Sequence, residues 1–262
     1  MSDAPLEAVL KRDRALVIGA VAVTAAFAWA YILWLAAAMD MGQAASGAAA
    51  MAMPRLRPWS PAEFAFMFGM WAVMMVGMML PSAAPMLLIH ARVARQSSIQ
   101  GKPIAATGWF AGGYILAWSG FSICATAAQW ALERALLRSP MMASQSDAFG
   151  GAVLIAAGLY QWTPFKDRCL TQCQTPLLFI QRHGGFRRDA PGSVGLGVRH
   201  GLYCVGCCWG LMALLFVGGV MNVLWIAGLT VFVLLEKVIP AGRLVSRTAG
   251  AGLVVLGLWT LG

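Results

Sequence analysis

From Ala15 to Ala38 the chain runs about 24 residues without a charge, and roughly 20 apolar residues are enough to cross the hydrocarbon core of a bilayer. The pattern recurs, at 15–38, 64–90, 104–131, 148–164, 200–220, 223–240 and 246–262. The fourth and last of these stretches are short, and the fifth and sixth meet at Met221-Asn222 as a tight hairpin. Backbone polar groups in hydrocarbon must be paired inside their own segment, so such spans are helices. The alternating segments of about ten residues that mark a membrane β-barrel are missing from the sequence. Composition agrees, because 60% hydrophobic and only 11% charged residues leave too little polar surface for a soluble domain. The expectation is an all-α polytopic membrane helix bundle, one transmembrane domain over 1–262 with about seven transmembrane helices. The first run is longer than the roughly 7–15 residues of a cleaved signal core, which predicts a retained helix.

Charge orients the bundle. With the N-terminus cytoplasmic, one side collects Lys11, Arg12, Arg14, Arg92, Arg95, Lys102, Lys166, Arg168, Arg182, Arg187, Arg188, Arg199, Lys237, Arg243 and Arg247. The other keeps Arg55, Arg57, Arg134 and Arg138. That asymmetry is the positive-inside pattern. The net charge of +9 then reflects orientation and contact with anionic lipid headgroups. With no basic domain in the chain, nucleic acid is excluded as a partner. The expected location is a membrane crossed several times, with the N-terminus on the cytoplasmic side.

Within this frame, one segment is chemically unusual. It reads His200-Gly-Leu-Tyr-Cys204-Val-Gly-Cys207-Cys208-Trp-Gly-Leu-Met212. Helical spacing puts His200, Cys204, Cys208 and Met212 on one ridge with Cys207 beside it. Such a wall of imidazole, thiols and thioether suits a soft metal, Cu(I) first and zinc second. A second pair, Cys169 and Cys173, falls in the cytoplasmic stretch 165–199. If Phe165 to Thr175 forms short helical turns, the pair shares a face. A reducing compartment disfavours stable disulfides and leaves metal binding or redox chemistry. Three thiols on one helix face cannot close around one ion, so Cys204, Cys207 or Cys208 is expected within bonding reach of Cys169 or Cys173. His200 would be a peripheral or fourth ligand.

The second span carries methionines. Met67, Met70, Met74 and Met78 form one helical stripe; Met75, Met79, Met86 and His90 form the adjacent one. Pro81 and Pro85 should kink this helix. Thioethers hold Cu(I) without placing a charge in the bilayer, although methionine also packs apolar contacts well. The candidate metal ligands are therefore Cys169, Cys173, His200, Cys204, Cys207, Cys208, Met74, Met75, Met78, Met79 and His90.

Three stretches carry a family resemblance. They are Met70-Trp71-x-x-Met74-Met75-x-x-Met78-Met79-Leu80-Pro81-Ser82-Ala83-x-Pro85-Met86, then Tyr160-Gln-x-Thr163-Pro164-x-Lys166-x-x-Cys169-x-x-x-Cys173-x-x-Pro176, and finally His200-Gly201-Leu202-Tyr203-Cys204-x-Gly206-Cys207-Cys208-Trp209 through Gly219-Val220-Met221-Asn222 to Glu236-Lys237. The chain resembles a bacterial family of predicted metal-binding integral membrane proteins, domain of unknown function 2182. That resemblance implies metal binding and a bacterial cytoplasmic (inner) membrane, crossed several times, as the location.

Other features are weaker. Glu236 and Lys237 are read as interfacial, with an inward-facing Glu236 as the alternative. Asp40, between Met39 and Met41, and the loop residues Met51, Met53, Met141 and Met142 are candidates for metal entry on the outer side. His183 is read as solvent-exposed in a basic loop, and Cys124 as plain packing. The sequence contains no phosphate loop, H-E-x-x-H pair or serine-histidine-acid set, so no catalytic residues are assigned. Copper handling is the leading reading, as uptake, holding or delivery to a membrane enzyme. A thiol–disulfide or electron relay is the second. A structural or assembly subunit of a membrane complex is the third. Expected partners are membrane lipid, other membrane-complex subunits or a copper chaperone.

Overall fold

In a computed structural model, the described residues are 4–46, 59–101, 103–137 and 142–262. All secondary structure among them is helical. Helix α1 (Ala4–Ser46) continues through Met39-Asp40-Met41, where a loop was expected; the alanine-rich sequence there favours helix. Met51, Met53, Arg55, Arg57, Lys102, Arg138 and Met141 lie outside the described residues, as do the side chains of Met39, Asp40, Met41 and Met142.

Helix α2 (Pro61–Met79) starts at a capping box, with the Glu63 N–H donating to Ser60 Oγ at 3.2 Å and the Ser60 N–H to Glu63 Oε2 at 2.6 Å. The two reciprocal bonds fill donors that a helix start leaves unpaired. The expected 64–90 span does not stay continuous. It breaks into a 3₁₀ turn, Pro81–Ala83, before α3 (Ala84–Ile99), because Pro81 brings no N–H and its ring collides with the preceding turn.

Next come α4 (Thr107–Leu137), α5 (Met142–Tyr160), α6 (Pro164–Gln174) and α7 (Pro176–Arg182), then α8 (Ala190–Ala213), α9 (Leu215–Gly218), α10 (Val223–Val238) and α11 (Gly242–Leu261). The stretch 165–199, expected as a loop, is mostly helix. Helix α8 begins ten residues before position 200, because Asp189 caps it, accepting from the Gly192 N–H at 2.7 Å, and Pro191 suits its first turn. The tight hairpin forms as expected, turning at Gly219 (φ +93°) and restarting at the Asn222 cap of α10.

Five segments are long and apolar enough to cross a membrane: Arg14–Ala38, Pro61–Met79, Thr107–Arg134, Ala190–Gly218 and Gly242–Leu261. The segment Asp147–Tyr160 is apolar but shorter, and α10 has 16 residues. Their outward surface is apolar, with Phe27, Leu224 and Trp259 largely exposed.

Two close crossings set the packing. Helix α4 meets α8 where a Cβ at Gly113 would overlap the Val194 carbonyl, and one at Gly197 the Phe110 carbonyl. Only glycine permits that approach, and it sets Tyr114 of α4 against Cys204 of α8. Helix α5 meets α11 in the same way, with Gly158 and Gly250 each backed by the other's carbonyl.

Candidate metal centre

The cysteines gather where α6 crosses α8. Helix α6 forms because Thr163 caps it and Pro164 opens it. Cys169 and Cys173 then point from one face toward α8. Cys173 Sγ lies 4.0 Å from Cys207 Sγ, and Cys207 Sγ lies 3.2 Å from Cys208 Sγ. The two groups are thus within the expected reach. Metal–sulfur bonds of about 2.3 Å place sulfurs roughly 3.5–4 Å apart, so the Cys173–Cys207 spacing suits one shared ion. Cys204, Cys207 and Cys208 are each 1% exposed.

Cys204 has a second set of partners. Its sulfur accepts from Lys237 Nζ at 2.8 Å and meets the Tyr114 hydroxyl at 3.0 Å. Tyr114 donates to the Met79 carbonyl at 3.0 Å, as does Ser82 Oγ at 2.8 Å, and Lys237 Nζ donates to Ser82 at 3.0 Å. Lys237, Ser82, Met79, Tyr114 and Cys204 therefore close a ring of hydrogen bonds that joins the end of the methionine helix to the cysteines. Among the described residues, no three His, Cys, Asp or Glu side chains stand as a ready-made metal cage.

Cys169 is buried against Gly206, where a Cβ would come within 2.9 Å of its sulfur. Its sulfur does not join the other four. The hydrogen bond with Cys204, and then burial, push the Cys173 thiol well above its ordinary pKa; burial pushes Cys169 up. Both thiols therefore carry protons that a bound metal would have to displace.

His200 sits one turn before Cys204, stacked against Phe110, Tyr114 and Phe179 with ring centroids 5.8, 5.9 and 5.0 Å away. Its Nδ1 is buried without a hydrogen-bond partner. His90 also stacks on Phe110, at 5.2 Å, and its Nδ1 pairs with Thr107 Oγ1 at 3.1 Å. It does not join the cysteine group. Met74, Met75, Met78 and Met79 are all buried, at 1% exposure or less.

Glu236 and Lys237, read as interfacial, are both buried. Glu236 Oε1 is 2.8 Å from Lys166 Nζ, and Lys166 also donates to Gln161 Oε1. Ser246 Oγ donates to the same Gln161 oxygen at 2.9 Å. The ion pair is close but poorly aligned, leaving both Glu236 oxygens without a well-formed hydrogen bond. Adjacent residues of α10 thus hold two parts of the cluster: Lys237 holds Cys204, and Glu236 holds α6, which carries Cys173. Sequence reasoning missed Lys166, Ser82 and Tyr114. The available signals were a lysine six residues after the tyrosine that ends α5's apolar run, and the Glu-Lys pair that closes the apolar helix α10. His183, read as solvent-exposed, is half-buried between Phe179 and Tyr203, with centroids 4.4 and 5.6 Å away.

Buried sulfurs drawn from two helices, beside buried cations and a methionine-lined helix, define a helical protein with a thiol-rich centre of the chemistry that soft metal ions favour. The family model described as PpoB2, copper chaperone, matches residues 68–260, from α2 to the end of α11. The chain belongs to that family, and the resemblance drawn from its three motif stretches is thereby shown at the level of a copper-related family. No curated protein and no solved structure matches it.

Proposed function

We propose that this protein spans a bacterial inner membrane and binds Cu(I) as cargo, passing it from the methionine stripe of α2 to the cysteines between α6 and α8. Cys173 and Cys207 would be the principal ligands, with Cys208 next. Cys204 joins when Lys237 yields its sulfur, and His200 stands at the edge. The observation that carries this reading is the 4.0 Å approach of Cys173 to Cys207, which draws sulfurs from two separate elements to one point. Cu(I) prefers thiolate and thioether donors, and low coordination numbers suit a site that must release its ion. The hydrogen-bonded ring at Met79 supports the path, because it places the end of the thioether stripe beside the thiols. Zinc is the second ion that thiolates would take.

The test is anaerobic titration of detergent-purified protein with Cu(I) against a chromogenic Cu(I) chelator, followed by X-ray absorption. One copper per chain in a sulfur-dominated shell is expected. Protein that leaves all copper with a weak chelator sinks the reading. A thiol–disulfide relay is the second reading, favoured by the same approach of Cys173 to Cys207. Mass-tag trapping of thiols in cells separates the two, since a relay would show a reversible disulfide fraction and a copper site would stay reduced.

A further inference from the structure

Cys204, Cys207 and Cys208 are sealed from solvent and Cys173 is half-buried, so copper leaving them needs a port. Helix α8 offers one line outward. Leu196, His200, Cys204 and Cys208 repeat every four residues on one ridge. Leu196 floors a cavity of about 230 Å³, walled by His183, Arg187, Asp189 and Arg199. At 1.5 Å per residue, the cavity floor lies about 12 Å along α8 from Cys204, with His200 halfway.

The side chains between are rings rather than aliphatic plugs. His183 packs on Phe179 and Tyr203, and Phe179 packs on His200 with centroids 5.0 Å apart. His200 Nδ1, buried and unpartnered, lies between the cavity and the cysteines and can take a soft cation. The cavity mouth is positive. The Asp189 carboxylate is engaged by the Gly192 N–H at the start of α8. Among the described residues Arg187 and Arg199 make no ion pair, and both are exposed. Two guanidiniums beside an imidazole suit a small anion that brings its own soft donor.

We propose that this cavity is the release port of the copper site, and that it takes a small-molecule thiol made anionic by its carboxylates. The proposal rests on the Cu(I) reading above. The carrier's carboxylates dock on Arg187 and Arg199, while its sulfur meets copper arriving by way of His200 and His183. Transfer is ligand exchange. Each Cu–S bond to a protein cysteine breaks as a Cu–S bond to a carrier sulfur forms, copper stays monovalent, and the proton from each carrier thiol passes to the cysteine sulfur released.

The experiment loads the full-length protein with one Cu(I), measures loading, and then follows copper transfer to glutathione, which is anionic, and to 2-mercaptoethanol, which is neutral. The double variant Arg187→Gln/Arg199→Gln should load normally. It should lose about tenfold in transfer rate to glutathione and stay within about twofold for mercaptoethanol, because steering acts only on the charged thiol. Arg199→Gln alone should show part of the same selective loss, which guards against local damage at Arg187, whose side chain also bonds the His183 carbonyl. His183→Ala should slow transfer to both thiols. For the arginine variants, normal loading with equal effects on the two thiols, or with none, overturns the port alone. Failure of the wild type to load overturns the copper reading and the port with it. If the arginine effect seen in detergent vanishes in phosphatidylglycerol nanodiscs, the arginines serve lipid headgroups and the proposal is wrong.

Discussion

The methionine helix and the cysteine cluster meet at the Met79 carbonyl, are both largely buried, and are built on opposite physical terms. Along α2, Met70, Met74, Met75, Met78 and Met79 fill space between helices, and each fits its apolar surroundings without a polar partner. Around the cysteines the protein buries Lys166, Glu236 and Lys237. Removing such charges from water costs several kcal/mol per ion, and well-packed apolar residues would often be as stable. Burial of a thioether is what any core would do. Burial of two lysines and a glutamate beside four thiols is what a core would avoid, so the second region carries the stronger argument for function.

The largest expected effect tests the polar region directly. Replacing Cys173, Cys207 and Cys208 together by serine should weaken Cu(I) binding by about 100-fold or more, since hard hydroxyls replace soft thiolates. Competition against a chromogenic chelator reads the change. Retained affinity would move the site elsewhere and leave the cluster as packing.

The next effect is on stability. Glu236→Leu strands Lys166 in the interior, and breaking a buried pair this way costs about 3–5 kcal/mol. The double change Lys166→Met/Glu236→Leu removes both charges and should recover most of that loss. Thermal unfolding in detergent measures both. If the pair also positions α6, the double variant should fold yet bind copper more weakly, because nothing then fixes Cys173 over Cys207.

These two regions differed in how legible they were. Hydropathy located the apolar stretches, and helical spacing placed the methionines and cysteines on their faces. The pairing of α6 with α8 followed from coordination number alone. Lys237 and Glu236 were harder to place, because a lysine at a helix end usually reaches outward along its aliphatic stem. Here α6 and the Pro81 turn cover that end, and only tertiary packing shows it. The early start of α8 was written locally in Asp189 and Pro191, but the polar composition of the flanking residues reads as a loop. The break at Pro81 was legible as a kink. What it exposes, a Met79 carbonyl shared by Ser82 and Tyr114, was not.

Tyr114→Phe probes the seam between the regions. It deletes the hydroxyl that touches both Met79 and Cys204, while Ser82 still satisfies the Met79 carbonyl. The cost should therefore be only the net value of a hydrogen bond, about 0.5–1.5 kcal/mol. The equilibrium affinity for Cu(I) should change little if Cys173 and Cys207 are the principal ligands. A loss as large as that of the triple serine variant would instead make Cys204, as Tyr114 orients it, the centre of the site.

The last test falls in the methionine helix, and it decides what that helix is for. Leucine nearly matches methionine in volume and hydrophobicity, so Met74→Leu/Met78→Leu should cost less than about 1.5 kcal/mol per site and leave the fold intact. Copper already loaded on the cysteines should stay, because neither residue is among its principal ligands. What should change is arrival. Leucine has no lone pair, so protein in sealed vesicles supplied with Cu(I) from the Ser60 end of α2 should fill its cysteines more slowly, while detergent-solubilised protein, open from both ends, should fill at the wild-type rate. Equal rates in vesicles would show that the thioethers only pack, and the contrast between the two regions would then be complete: one a core, the other a site. A slower rate confined to vesicles would make the methionine helix the path to the thiols, bought at almost no cost in stability because its donors are also good packing residues.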